Sequence, residues 1–144
     1  MEWSRPPYRI SDRPEDQDVD AVHAFLTSSY WARGIPRETV LRSIRHALPF
    51  GLFNERRQIG FARAVTDRAT FAYLADVFVT DEERGRGLGA WLVETVLGHP
   101  ELRGIRRWLL ATRDAHALYR RFGFAALEDP TIIMTIHDPG IYTR

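Results

Sequence analysis

The residues with the plainest chemical meaning form the run Arg84-Gly85-Arg86-Gly87-Leu88-Gly89, which opens an apolar helical repeat. Glycines admit left-handed backbone angles and let a ligand approach without a Cβ in the way. Successive N–H groups in such a turn can converge on one concavity and hold anionic oxygens. The helix N-terminus behind it adds unpaired donors and the positive end of its dipole. A pyrophosphate suits those surroundings. The run is no Walker loop, because no lysine follows the glycines. A dinucleotide-binding turn needs Gly-x-Gly-x-x-Gly after a first strand and an acidic residue about 20 positions on; Gly85, Gly87 and Gly89 have neither that spacing nor that context. On these residues alone, glycines kept for tight helix–sheet packing, or an Arg-Gly-rich RNA-binding stretch, stand as the alternatives.

Two further side chains invite a chemical role. Asp76 interrupts the otherwise apolar run Phe71–Val79, and a carboxylate there is costly unless it is paired or functional. It reads either as a general base or as half of an ion pair with an arginine or a backbone donor. Tyr119 carries a phenol whose ordinary pKa, about 10, keeps it protonated at neutral pH and available as a general acid. The structural alternative is a tyrosine packing a helix on a sheet. His116 lies one helical turn before it, a position more often at the surface. His23, His46, His99 and His137 have no metal-ligand spacing, and no metal is expected.

These groups need elements to position them. Tyr8–Ser11 reads as a brief strand. Asp18 or Asp20 caps a helix running to about Ser29, with Val19, Val22, Phe25 and Leu26 on one face. Pro36 suits the first turn of a second helix whose apolar stripe is Val40, Leu41, Ile44 and Leu48. Three strands follow, Phe50–Asn54, Gln58–Thr66 and Thr70–Thr80, separated by short polar breaks that predict an antiparallel meander. The third is apolar on both faces, which predicts a central strand covered on both sides. A helix from Gly87 to about Leu97, a strand at Arg107–Thr112 and a helix from Asp114 to Phe122 come next, with Asp114 as N-cap and Gly123 as C-cap. Two last strands, Phe124–Leu127 and Thr131–His137, would complete seven. The order is strand, two helices, three strands, helix, strand, helix, two strands. It predicts an α+β fold with a mixed, mostly antiparallel central sheet flanked by helices.

Composition removes several classes of function. The chain of 144 residues suits a single domain spanning 1–144. A net charge of +1 gives no basic field for a general polyanion, so no nucleic acid is expected as partner. The absence of cysteine excludes disulfides, thiolate metal sites and an acyl-cysteine. All 20 basic residues are arginine, which excludes a lysine base or Schiff base. Met1–Arg13 is polar and contains prolines, unlike a signal peptide or anchor. No apolar run reaches the length of a membrane span, and a cytoplasmic protein is the expectation.

Two ordered blocks resemble the GCN5-related N-acetyltransferases, the GNAT family. Val77-Phe78-Val79-Thr80-Asp81-Glu82-Glu83-Arg84-Gly85-Arg86-Gly87-Leu88-Gly89-Ala90 looks like the family's first motif, matched at Arg84, Gly87 and Gly89. Ala115-His116-Ala117-Leu118-Tyr119-Arg120-Arg121-Phe122-Gly123-Phe124 resembles its second, through Ala115, Leu118-Tyr119 and Gly123-Phe124. The resemblance implies the GNAT fold and transfer of an acetyl group from acetyl-coenzyme A to the amine of a small molecule, with a non-catalytic acyl-CoA sensor or a protein N-acetyltransferase as rival readings. It implies that Val77, Phe78 and Val79 line the pantetheine, that the Val77 N–H faces the thioester carbonyl, and that Arg84, Gly85, Arg86, Gly87, Leu88 and Gly89 hold the pyrophosphate. Tyr119 would contact the cofactor and donate a proton to the departing thiolate, and Asp76 would be the base. Thr112 stands where many relatives carry a cofactor-binding asparagine. Tyr73 stands where histone-modifying relatives carry a glutamate base. The acceptor pocket would use Tyr30, Trp31, Arg33, Tyr73 and Asp76. The oligomeric state is not legible; a homodimer is the commonest assembly among soluble oligomers.

Overall fold

Strand formation starts earlier than the polar N-terminus suggests. In the computed structural model, which describes residues 1–144, β1 (Glu2–Arg5) pairs antiparallel with β2 (Tyr8–Ser11). Trp3 explains the extra strand: its ring packs 6.1 Å from Phe50 and 5.8 Å from His99. A polar cluster ties down the same corner. The Met1 ammonium lies 2.5 Å from Asp12, and the His99 Nε2, in a ring only 1% exposed, lies 2.7 Å from the other oxygen of that carboxylate. His99 Nδ1 accepts the Glu101 N–H at 3.1 Å, so in the neutral ring Nε2 carries the proton and donates it to Asp12.

Burial alone would raise the Asp12 pKa, but hydrogen bonds from the ammonium and His99 outweigh it and leave the carboxyl below its usual value. We therefore expect Asp12→Asn to lose about 1–3 kcal/mol at neutral pH in urea denaturation. A depressed folded-state pKa gives stabilisation that is present above the unfolded value and lost as pH falls through the folded one. The gap between wild type and variant should accordingly close below about pH 4; a gap that persists in acid would mean the carboxylate's charge is irrelevant.

α1 (Val19–Thr27) is capped by Asp18, whose side chain accepts the Ala21 N–H, and buries Val22 and Leu26. α2 (Arg37–Arg45) starts after Pro36 and buries Val40 and Ile44. Leu48 does not belong to its stripe but heads β3 (Leu48–Asn54), because the residue before Pro49 is driven to extended angles. The meander follows as expected, β3 to β4 (Arg57–Thr66) to β5 (Phe71–Val79), all antiparallel. One face of the sheet packs on α1 and α2 through Val22, Leu26, Val40, Ile44, Phe61 and Phe78. The other packs on α3 (Leu88–Leu97) through Leu88, Trp91, Leu92, Val93 and Val96 against Ile10, Phe50, Leu52 and Ile59. The central strands are thus covered on both faces. α3 carries the chain across to β6 (Arg107–Leu109), the one strand that pairs in parallel.

Two expectations for the C-terminal part need correction. α4 spans only His116–Arg120, and its first turn is held by Thr112 Oγ1, which accepts the Ala115 N–H at 3.0 Å; Asp114 makes no capping bond. Thr112 reaches that donor because it lies three residues back, where a cap side chain fits. Gly123 does end the helix, at φ 96. Beyond it, neither Phe124–Leu127 nor Thr131–His137 joins the sheet, which has six strands in the order β1-β2-β3-β4-β5-β6. The alternating pattern of 131–137 describes a strand, but a strand needs a hydrogen-bonded neighbour, and this chain brings none beside it.

Candidate active site

The chemistry-bearing residues gather where β5 and β6 part. Their pairing covers Phe71↔Arg107, Ala72↔Trp108 and Tyr73↔Leu109, then stops. From Leu74 to Val79 that edge of β5 has no strand beside it, while its other edge stays paired to β4 as far as Gly60↔Val79. A bulge turns the backbone here. Phe61 opposes Phe78 and Arg63 opposes Ala75, so Asp76 and Val77 together face the single residue Ala62. Asp76 takes the left-handed angle, φ 56, which bulges of this kind usually give to glycine and which aspartate tolerates better than most residues.

The Asp76 carboxylate is engaged on both oxygens. Oδ2 lies 2.9 Å from Arg63 Nε, with both side chains largely buried, and Oδ1 accepts the Trp31 indole N–H at 3.0 Å. One acid therefore joins β4, β5 and the α1–α2 loop. Aromatic packing secures the loop further: Phe25 stacks on Phe78 at 3.8 Å, and Trp31 lies 6.1 Å from Phe25 and 5.1 Å from Tyr30. Arg63 escaped the sequence reading. The signal was present, since it interrupts the apolar β4 run as Asp76 interrupts β5, but only register shows that the two lie side by side.

At the far end of β5 the glycine turn presents backbone rather than side chains. Gly85 (φ 79) and Gly87 (φ 76) are left-handed, and Gly87 caps α3 without any side-chain bond. The N–H groups of Leu88, Gly89 and Ala90 have no place in the helical ladder, whose first bond runs from Trp91 to the Gly87 carbonyl. A Cβ placed on Gly85 or Gly87 would meet no atom within 4 Å, so the cradle is open in front of those donors. The two arginines are tied back instead. Arg84 reaches the Val79 carbonyl at 3.2 Å and Asp81 at 2.9 Å. Arg86 bonds the Tyr8 hydroxyl at 2.9 Å and Glu83 at 3.1 Å. Glu83 is buried and also accepts Tyr8 and Asn54, both at 3.2 Å, so it fixes the turn from beneath. Tyr8, Asn54 and Glu83 were likewise not legible from the motif.

This cradle fits a pyrophosphate. Gly87→Ala should raise KM for the cofactor about tenfold or more, through strain at φ 76 and a methyl group in the cradle. Steady-state titration of the cofactor checks it, and an unchanged KM would remove the turn from the binding site.

Tyr119 sits at the notch. It is 9% exposed, its ring makes an edge contact with Phe124 at 5.9 Å, and its hydroxyl is not sealed from solvent. Burial raises the phenol's pKa, and the nearby Tyr30 adds to the shift, so the proton is held more firmly than on a free tyrosine. The Arg113 guanidinium stacks 3.8 Å from the Tyr30 ring centre. Arg33 is exposed and forms no ion pair. No group of His, Asp and Glu side chains has a metal-holding geometry.

A notch beside a bulged strand, an open cradle of backbone N–H groups at its end and a buried tyrosine at its mouth form one arrangement. The sequence profile described as the acetyltransferase (GNAT) family matches residues 3–124. The chain belongs to the GNAT acetyltransferase family. It is 32% identical to a protein of Gibberella zeae assigned as an acetyltransferase, over 84% of this chain and 81% of that one. A protein of Xanthomonas campestris pv. campestris assigned to the GNAT acetyltransferases, known from its crystal structure, is 44% identical. It matches with a TM-score of 0.94 over 98% of this chain and 100% of that one. An acetyltransferase assigned in Clostridium acetobutylicum and solved with acetyl-CoA shares the fold, with a TM-score of 0.65 over 95% of this chain and 96% of that one at 13% identity. The chain is therefore an acyltransferase of a family that uses acetyl-CoA. No helix is long and apolar enough to cross a membrane.

Within this GNAT protein the structure brings together Asp76, Val77, Trp31, Tyr30 and Tyr119 near the notch, and it sets Arg84 to Gly89 in the cradle. Phe78 turns its side chain into the α1–α2 core, leaving only its backbone toward β5's partners. Thr112 spends its hydroxyl on α4 rather than holding it free for a ligand. Tyr73 lies on β5 at the last pair before the strands part.

Proposed function

We propose that the protein transfers an acetyl group from acetyl-CoA to the primary amine of a small molecule that also carries an anionic group. The observation that carries the reading is the placement of a buried, protonated Tyr119 at the point where β5 loses its neighbour. Acetyl-CoA, when bound, supplies the acetyl group as a thioester. The N–H groups from Gly85 to Ala90 would hold its pyrophosphate, and the backbone of Val77 and Val79 would line its pantetheine arm. The Val77 N–H, turned by the bulge, is a fixed donor for the charge that develops on a carbonyl oxygen. Tyr119 holds its proton at the phenol oxygen and gives it to the leaving sulfur.

Asp76 suits a positioning role better than that of a base, because both its oxygens already accept hydrogen bonds. The amine proton then passes to water in the cleft. The expectation of an anionic substituent rests on charge: Arg63 neutralises Asp76, Arg113 lies over Tyr30 with Asp114 at 3.8 Å, and Arg33 of the α1–α2 loop has no acidic partner. The test is thiol release from acetyl-CoA across a panel of amines, amino acids and peptides. We expect turnover with amines bearing a carboxylate or phosphate, at kcat/KM at least about tenfold above their uncharged analogues. Strong preference for peptides would replace this reading with a protein acetyltransferase, and tight cofactor binding without turnover would replace it with a sensor.

A further inference from the structure

Side chains alternate between the two faces of a strand, so register divides the sheet into two surfaces. Ala62, Ala64 and Leu74 face α3, and Trp108 and Leu110 pack with them. Their neighbours Arg63, Val65, Tyr73, Ala75 and Leu109 therefore share the opposite surface, where α1 and α2 pack on Phe61 and Phe78. Beyond those two rings a row crosses three strands: Val65 opposes Tyr73, and Tyr73 opposes Leu109. This apolar floor stays partly open. Val65 is 40% exposed, Phe71, the next position of β5 on this surface, is 38% exposed, and Tyr73 and Leu109 are half-buried.

Each end of the floor has its own chemistry. One end is the notch, where Ala75 opposes Arg63 and that arginine neutralises Asp76. Trp31, 41% exposed, is held there by its bond to Asp76. At the other end Phe71 opposes Arg107. Thr70, Phe71, Arg106 and Arg107 line a groove of about 260 Å³ there, with neither arginine paired to a carboxylate. The acid of the adjoining turn, Asp67, is occupied by the N–H groups of Ala69, Thr70 and Phe71.

We propose that the acceptor is an elongated amine laid along this floor. Its amino group lies at the notch beside Val77, and an unbranched apolar body covers Val65, Tyr73 and Leu109. A terminal carboxylate or phosphate meets Arg106 and Arg107. This rests on the proposed transfer to an anionic amine, and it gives that amine its length and the nature of its body. Continuity makes the occupant a substrate, since the floor begins where the acetyl group would be transferred. A peptide fits poorly. The N–H and C=O groups of the strands point within the sheet toward neighbouring strands, so a peptide laid on its face would leave its own groups unpaired over apolar side chains. The path from Phe71 to Val77 is about 20 Å at about 3.3 Å per residue. An amino acid with about 12 methylenes spans it once an arginine stem reaches back along the floor.

The test is thiol release from acetyl-CoA with a ladder of ω-amino carboxylic acids, each compared with the alkylamine of equal length. For the wild type, kcat/KM should rise about twofold per added methylene, as expected for a body covered on one side, and level off near 12. At that length the carboxylate should give an advantage of about tenfold over the alkylamine. Arg106→Gln with Arg107→Gln should bring that ratio close to one, whereas Arg33→Gln should leave it in place. Val65→Asp, at an exposed position, should abolish the rise with length. A flat response to length, or a carboxylate advantage that survives loss of both arginines, would overturn the proposal while leaving transfer to an anionic amine intact. Absence of turnover with every amine would remove that transfer and this acceptor together. A mass that halves in Val65→Asp, measured by light scattering, would assign the floor to a second copy of the chain and overturn the proposal as well.

Discussion

Tyr119→Phe is expected to lower kcat about a hundredfold or more while leaving KM for acetyl-CoA within about twofold. The substitution removes one oxygen and keeps the ring, so the edge contact with Phe124 and the packing of α4 survive. What is lost is a proton positioned for the leaving sulfur, an interaction made in the transition state and absent from the ground state, and such losses fall on kcat. The pH profile carries a second signature. Burial, aided by Tyr30, lifts the phenol above its ordinary value of 10.0. The acid form therefore persists past that pH, and the alkaline limb of kcat in the wild type should lie above it and vanish in the phenylalanine variant. The same shift makes a stability statement: a raised folded-state pKa gives a contribution that is full below the unfolded value and declines as pH rises toward the folded one. Unchanged kcat in Tyr119→Phe would transfer proton donation to water.

Asp76→Ala should cost about 3 kcal/mol and lower Tm by about 6–12 °C, because it leaves Arg63 buried without its partner. It also removes the acceptor that holds the Trp31 loop and places alanine at φ 56, where it is disfavoured. Asparagine at this position keeps an acceptor and tolerates the left-handed angle, so its loss should be smaller. Removing both charges, in Arg63→Met with Asp76→Asn, should recover part of the stability lost in either single variant, and the double-mutant cycle measures that coupling. Kinetics separates positioning from catalysis. With a positioning role, Asp76→Asn retains turnover within about tenfold of wild type, since the bulge and the Val77 N–H stay in place. A loss of about a thousandfold with an unchanged Tm would instead make Asp76 the base.

Much of the donor half of this site is local, and so it was legible. Gly85, Gly87 and Gly89 have meaning within six residues, because left-handed angles and an uncapped helix start are properties of the backbone nearby. The same holds for the apolar repeats of α1, α2 and α3 and for the meander, whose turns are short. Tyr119 became interpretable once its block was placed after the glycine turn in chain order. These features the sequence by itself determined, and with them the family and the fold class.

Only the tertiary structure decided the rest, because the missing information lies in register and in pairing across distance. Asp76 alone reads equally as base or ion-pair partner; the bulge that sets it opposite Ala62 also sets it beside Arg63, 13 residues away in the chain. Glu83 gains its role from Tyr8, 75 residues earlier, and β1 exists because Trp3 finds Phe50 and His99. Thr131–His137 shows the limit most clearly. Its residues favour a strand, but a strand is stabilised by a neighbour's N–H and C=O groups, and no local pattern can say whether the chain will bring a neighbour to it.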